Sequence, residues 1–330
     1  DRPEPVRRLA ALRRLVAIDP LDEAARLRLV ETLAGAGRRG EAQEQRRVAI
    51  AALQDSGIAV PAVLRRPTEE KAAGPTPPAM IQRTQFCTAH DGTGIAYASV
   101  GEGPPIVKTA NWLNHIEYEW ESPIWSHWLG ELTREHQLLR YDERGNGLSD
   151  WKVADLSFEA FVNDLESVVD AAGLDRFDLL GISQGCAVSI AYAVRHPQRV
   201  KRMVLVGGYR TGWAMRGDPD EVARREAMVT LTRAGWGQDN PAFRQLFTNL
   251  YFPGASQEQV EWFNELQRVS TSPEGAQRLQ RALSLIDVRP LLDQVRVPTL
   301  IMHSRGDAVV PFSAGRDLAA HIPGARFVGL

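Results

Sequence analysis

The stretch LLGISQGCAV, residues 179–188, carries most of the information about the fold. Gly181 and Gly185 flank Ser183 in a Gly-x-Ser-x-Gly pattern, between the apolar run FDLLGIS and the helix-like run GCAVSIAYAVRHP. Because glycine has no Cβ, the two glycines permit a sharp strand-to-helix turn that exposes the serine hydroxyl. The sequence therefore predicts a nucleophilic serine. The alternative is a small-residue turn without chemistry.

Length and composition set broad limits on the protein class. The chain has 330 residues, 44% hydrophobic and 24% charged, with a net charge of −2. The length predicts two or more domains. The balanced charge predicts no direct nucleic-acid binding, and no apolar run is long enough for a membrane span. Cys87 and Cys186 are too few for a disulfide framework or a zinc set, so we expect reduced thiols in a cytoplasmic protein without metal or cofactor.

The amino-terminal residues 1–62 have the pattern of a small all-α domain. Apolar residues recur at helical spacing on both sides of a glycine-rich break at 35–40, which predicts an antiparallel helical hairpin. The segments AIDPLDEAARLRLVETLAGAGRRGEA and DSGIAVP resemble the tetratricopeptide-like bacterial transcriptional activator domain. That resemblance implies a regulatory module with a protein partner. A generic helical repeat without a regulatory role is the alternative.

A proline-rich linker at 63–84 separates this segment from a second domain at 85–330. In the second domain, strand-like and helix-like segments alternate after an initial hairpin. This order predicts an α/β fold with a mostly parallel, doubly wound sheet and helices on both faces. A helical, aromatic-rich insertion at 209–286 interrupts the alternation.

Three further stretches join the serine motif in resembling the α/β-hydrolase superfamily. They are YDERGNGLSD at 141–150, HPQRVKRMVLVGG at 196–208 and VPTLIMHSRGDAVVP at 297–311. The resemblance spans 85–330 and implies that Ser183 is the nucleophile and Asp307 the residue that orients a catalytic histidine. It also implies that the insertion at 209–286 forms a cap over the serine.

The resemblance further implies an oxyanion hole of two backbone N–H groups. One belongs to Gln184, the residue after the nucleophile, and the other aligns with Trp112. The family usually has His-Gly before the second donor, whereas this chain has Ala110 and Asn111. Asparagine tolerates a positive φ better than most residues, so the turn remains feasible.

The resemblance implies a catalytic triad of serine, acid and histidine, and the histidine, which is the general base, is the member that the sequence does not supply. In the family the catalytic histidine follows the last strand, here ARFVGL, which reaches Leu330. None of the seven histidines lies in that loop, so we expect the catalytic histidine not to be in this chain. We expect an extension of about thirty residues to restore most of the activity. His115, which follows the oxyanion loop, is the alternative base.

Aromatic residues in the insertion at 209–286 indicate the substrate class. Most are expected in the core of the cap and some at the site, which favours a small apolar ester or acyl substrate. We predict a serine hydrolase that works through an acyl-enzyme, with thioesterase, lactonase, C–C hydrolase and perhydrolase chemistry open. The alternative is a small-molecule sensor domain of a transcriptional regulator.

Overall fold

The computed structural model describes residues 21–35, 39–61, 82–236 and 241–330, with isolated positions between 9 and 19 and at 64 and 238. The chain divides into two compact units, Asp1–Ala79 and Met80–Leu330. Most of the predicted linker at 63–84 lies outside the described residues, and the first strand of the second unit begins at Arg83.

The first unit contains the two helices that the apolar spacing predicts. Helix α1 spans Glu23–Gly35 and helix α2 spans Arg39–Asp55. Leu29 and Leu33 of α1 are buried in one apolar cluster, and Leu53 of α2 is buried in a second. The helices pack against each other because each carries an apolar stripe that neither can bury alone.

The second unit is built on one eight-stranded sheet. Its strands are β1 (Arg83–Thr88), β2 (Gly94–Val100), β3 (Pro105–Lys108), β4 (Gln137–Tyr141), β5 (Phe177–Ile182), β6 (Val200–Val206), β7 (Thr299–His303) and β8 (Arg326–Gly329). Their order is β1-β2-β4-β3-β5-β6-β7-β8. β2 pairs antiparallel with β1 and β4, and the other neighbours pair in parallel. The predicted fold class is confirmed.

Helices between the strands cover the sheet. They are α3 (Ile116–Trp120), α4 (Ser126–Leu132), α5 (Phe158–Ala171), α6 (Gly185–Arg195) and α11 (Phe312–His321). The side chains of α5 show why these helices form where they do. Phe161, Leu165 and Val168 recur on one face and are fully buried, while Ser157 caps the helix by accepting the Ala160 N–H.

Four helices lie in the insertion between β6 and β7, as predicted. They are α7 (Pro219–Gly235), α8 (Pro241–Tyr251), α9 (Gln257–Ser270) and α10 (Pro273–Ser284). Asp218, Ser256 and Ser272 cap α7, α9 and α10 with side-chain oxygens. We call this insertion, residues 209–286, the cap. Phe247 and Phe263 from the cap line the same cavity as Ser183, so the cap closes over the carboxyl end of β5.

Candidate active site

Ser183 occupies the sharp turn between β5 and α6. Its φ is 53°, and it is the one non-glycine residue with a positive φ in the part of the chain that the structure describes. The Ser183 N–H donates to the carbonyl of Val206 at 2.9 Å, which fixes the turn to the neighbouring strand. A side chain in this left-handed region is strained. Such strain persists at functional sites because the surrounding structure imposes it.

The flanking glycines are required by close backbone approach. A Cβ on Gly181 would lie 2.8 Å from Cα of Cys186, and a Cβ on Gly185 would lie 2.8 Å from the carbonyl oxygen of Ala110. Both contacts are with backbone, which cannot rotate away. The motif therefore has the steric basis that the sequence suggested.

Ser183 and Asp307 line the same cavity, which has a volume of about 860 Å³ and which we call the main cavity. Its wall is mostly apolar. The sheet contributes alternate side chains of β5, β6 and β7, all on one face: Leu180, Ile182, Val204, Val206 and Met302. The cavity is large enough for a small organic substrate.

Asp307 lies four residues beyond β7 and is oriented by its own loop. Its Oδ1 accepts the N–H groups of Val309 at 2.9 Å and Val310 at 2.8 Å. Its Oδ2 is 3.6 Å from Nε2 of His303. The side chain is 23% exposed, so one carboxylate oxygen remains available to a group in the main cavity.

The two predicted oxyanion donors differ in whether their N–H groups already have a hydrogen-bond partner. No hydrogen-bond partner of the Gln184 N–H is found among the described residues, as expected for a donor at a helix start. The Trp112 N–H instead donates to Oε1 of the Gln184 side chain at 2.9 Å. Stabilisation of an oxyanion by Trp112 therefore requires the Gln184 amide to move or to share the donor.

The Gln184 side chain and Glu143 are site residues that the sequence analysis did not identify. Nε2 of Gln184 donates to Oε1 of Glu143 at 2.8 Å, so the amide links this carboxyl group to the Trp112 backbone. Burial raises the pKa of Glu143 to about 8, although the bond from Gln184 opposes the shift. Glu143 lies within YDERGNGLSD, so its position in the motif was the available signal.

The remainder of YDERGNGLSD supports the loop between β3 and α3. Asp142 accepts the N–H groups of Ile116 and Leu148, both at 2.8 Å. Arg144 is buried and forms an ion pair with Asp164 at 2.6 Å. This motif holds the loop and the sheet edge together, and none of its charged side chains lines the main cavity.

No histidine among the described residues lines the main cavity. His115, the alternative base, caps α3 instead: its Nδ1 accepts the Tyr118 N–H at 3.3 Å, and burial lowers its pKa. His303 is buried next to the loop that carries Asp307, and its Nε2 donates to the carbonyl of Val310 at 3.0 Å. His115 and His303 thus bond to the protein backbone and do not line the main cavity.

The cap aromatics are distributed differently from the expectation. The cap has nine aromatic residues, and five of them line the main cavity: Trp236, Phe247, Tyr251, Phe252 and Phe263. Trp236 stacks on Trp112 with ring centroids 5.6 Å apart. Tyr251 of α8 and Phe263 of α9 contact each other, with ring centroids 5.9 Å apart, and both also reach the cavity wall. The wall is therefore more aromatic than the sequence predicted.

The described residues contain neither a metal-binding cluster nor a membrane-spanning helix. No group of three or more His, Cys, Asp or Glu side chains among them is arranged to hold a metal ion. No helix in the described ranges has the length and apolarity that crossing a membrane requires. Cys87 and Cys186 are both free, and burial raises the pKa of each thiol.

Comparison with known proteins agrees with this geometry. A family model of the alpha/beta hydrolase fold matches residues 119–330. The 2-hydroxy-6-oxo-2,4-heptadienoate hydrolase of Pseudomonas putida is 30% identical over 222 residues, covering 66% of this chain and 74% of that protein. The pimeloyl-acyl-carrier-protein methyl ester esterase of Nitrosomonas europaea is 26% identical, covering 71% of this chain and 89% of that protein.

A solved structure has the same fold. The esterase EaEST from Exiguobacterium antarcticum superimposes with a TM-score of 0.63 at 26% identity, covering 75% of this chain and 90% of that one. The family match extends over more than half of the chain and includes the turn at Ser183, which we call the elbow, the loop that carries Asp307, and the cap. The chain therefore belongs to the α/β hydrolase family.

Proposed function

We propose that this chain is a serine hydrolase that cleaves an ester-like bond of a small apolar substrate through an acyl-enzyme. The observation that carries the proposal is the strained Ser183, with φ 53°, on the wall of an apolar cavity of about 860 Å³ that Asp307 also lines. Esterase-like relatives support the same reaction class.

In the proposed acylation step, Oγ of Ser183 attacks the ester carbonyl while its proton passes to a general base. The carbonyl oxygen gains negative charge, and the N–H of Gln184 stabilises it. The intermediate collapses, the C–O bond to the alcohol breaks, and the base returns the proton to the leaving oxygen. Water then attacks the acyl-enzyme with the same base, releasing the acid and restoring Ser183.

We assign the general base to an imidazole that bonds Oδ2 of Asp307. Oδ1 of Asp307 already accepts two backbone N–H groups, so only the other oxygen can orient a base. None of the described histidines lines the main cavity. The hydrolysis assay described next therefore supplies the base as free imidazole in the buffer.

The test is hydrolysis of p-nitrophenyl butyrate with increasing imidazole. The Ser183→Ala chain, measured in parallel, subtracts the hydrolysis that imidazole catalyses in solution. We expect a saturable increase in rate that depends on Ser183. An equal increase in both chains would contradict the proposal.

A second candidate is a ligand-sensing domain whose helical unit, residues 1–62, binds a protein partner. One observation favours it: the Trp112 N–H is taken by the Gln184 side chain. A sensor would bind an apolar ligand in the main cavity without forming an adduct on Ser183. Calorimetric binding without any acylation in saturating imidazole would favour this second function.

A further inference from the structure

A second, smaller compartment adjoins the main cavity at Ser183, and we call it the side compartment. Its volume is about 80 Å³, room for about two or three water-sized groups. Six residues line both spaces: Trp112, Ser183, Phe247, Tyr251, Val309 and Val310. Ser183 therefore lies where a large apolar space and a small one meet.

The side compartment differs from the main cavity in its charge. Arg216 and Arg225 line it, and no Asp or Glu does so among the described residues. The main cavity, by contrast, has Asp307 as its charged lining residue in the described chain. A small space that two guanidinium groups and Ser183 line together suits the anionic end of a substrate.

The two arginines share one carboxylate. Nη1 of Arg216 donates to Oε1 of Glu221 at 2.8 Å, and Nε of Arg225 is 3.7 Å from the same oxygen. Two positive charges against one negative charge leave the group with a net charge of +1. That excess charge favours an anion that enters the compartment.

Each guanidinium also keeps donors for such an anion. Arg216 uses Nε to bond the carbonyl of Thr211, and Arg225 uses Nη2 to bond the carbonyl of Val309. Over the described ranges, Nη2 of Arg216 and Nη1 of Arg225 have no protein hydrogen-bond partner. These bonds hold the two side chains in place while their outer N–H groups remain free.

We infer that the side compartment is a carboxylate subsite, and that the substrate is an ester carrying a carboxylate close to the scissile bond. This inference rests on the proposed hydrolase function and specifies its substrate. The apolar part occupies the main cavity, the carbonyl meets Ser183, and the carboxylate bonds Arg216 and Arg225. A volume of about 80 Å³ is enough to admit a carboxylate group.

A purely structural role is the competing explanation for Arg225. The bond from Arg225 to Val309 joins α7 to the loop that positions Asp307. Losing this bond would therefore disturb the Asp307 carboxylate. Such a disturbance would affect neutral and anionic ligands alike. A subsite affects only the anionic ligand, and this difference decides the design of the test.

The first arm measures binding without chemistry, on the full Ser183→Ala chain by isothermal titration calorimetry. The ligands are 4-phenylbutyrate and 4-phenylbutanamide, which have the same shape and differ in charge. We expect the acid to bind about tenfold more tightly than the amide, and the difference to shrink with added salt. Arg216→Gln and Arg225→Gln should each weaken acid binding about fivefold and leave the amide unchanged.

Arg224→Gln is the matched control, because it removes the same charge from the same helix at an exposed position outside the compartment. It should change neither affinity. Equal affinity for acid and amide, no measurable binding of either, or an equal loss in Arg224→Gln and Arg225→Gln would overturn the subsite.

The second arm measures hydrolysis of 1-naphthyl hydrogen succinate and 1-naphthyl butyrate in imidazole buffer. These esters differ only in a terminal carboxylate against a methyl group. We expect a higher kcat/KM for the succinate, lost in Arg225→Gln. If the acid binds preferentially but neither ester is cleaved, the proposed hydrolase function fails and the subsite stands. If both esters are cleaved equally and the acid shows no preference, the subsite alone fails.

Discussion

The strain at Ser183 gives a stability prediction that does not depend on catalysis. Ser183→Ala and Ser183→Gly both remove the hydroxyl, but only alanine keeps a Cβ at a φ of 53°. The left-handed region costs a residue with a Cβ about 1–2 kcal/mol. Glycine loses about 0.5–1 kcal/mol more entropy on folding than alanine. The difference between these ranges is about 0–1.5 kcal/mol, so we expect the Ser183→Gly chain to be more stable by a central value of about 0.75 kcal/mol.

The assay is thermal and urea unfolding of both chains. For a unit of this size, about 1 kcal/mol corresponds to a shift in Tm of about 2–4 °C. Ser189, in the middle of α6, is the matched control, since its φ is helical. There Ser189→Ala should be the more stable variant, by about 1 kcal/mol over Ser189→Gly. If Ser183→Ala proves at least as stable as Ser183→Gly, the elbow does not store the strain that we assign to it.

Three further predictions test the surroundings of the site. Gly185→Ala should lower stability by about 1–3 kcal/mol and reduce esterase activity, because its Cβ meets the Ala110 carbonyl; unchanged melting and rate would oppose this. Asp307→Asn should lower the Ser183-dependent, imidazole-assisted rate at least about tenfold, with an equal rate counting against an orienting carboxylate. The folded pKa of Glu143 is about 8, above its ordinary 4.5, so the folded state binds the extra proton between these values. The free energy of unfolding should therefore fall as the pH rises from about 4.5 to 8. In Glu143→Gln this part of the fall should disappear, and identical urea-unfolding profiles from pH 5 to 8 would refute it.

Local steric rules explain why the elbow and the sheet were predictable. The steric limits of the motif act on the backbone of Gly181, Ser183 and Gly185 and do not depend on distant parts of the chain. The alternation of strands and helices limits the topology of the sheet. The place of Asp307 at the main cavity was predictable for a related reason, because it follows β7, whose carboxyl end lies on the same side of the sheet as that of β5.

Contacts between distant residues explain what the sequence did not reveal. The Gln184 side chain meets the Trp112 N–H across 72 positions, and no spacing rule links them. The role of His115 was hidden because histidine is an uncommon residue at a helix N-cap. Which cap aromatics face the cavity depends on how α8 and α9 rotate against the sheet, and periodicity alone does not fix that rotation.

Acylation of Ser183 tests the central claim most directly. The chain is incubated with p-nitrophenyl acetate in imidazole buffer, quenched in acid, digested and analysed by mass spectrometry, with Ser183→Ala in parallel. We predict a single acetyl group on the peptide that contains Ser183, and none on the corresponding Ser183→Ala peptide. An unmodified Ser183 peptide under saturating ester and imidazole would contradict the account.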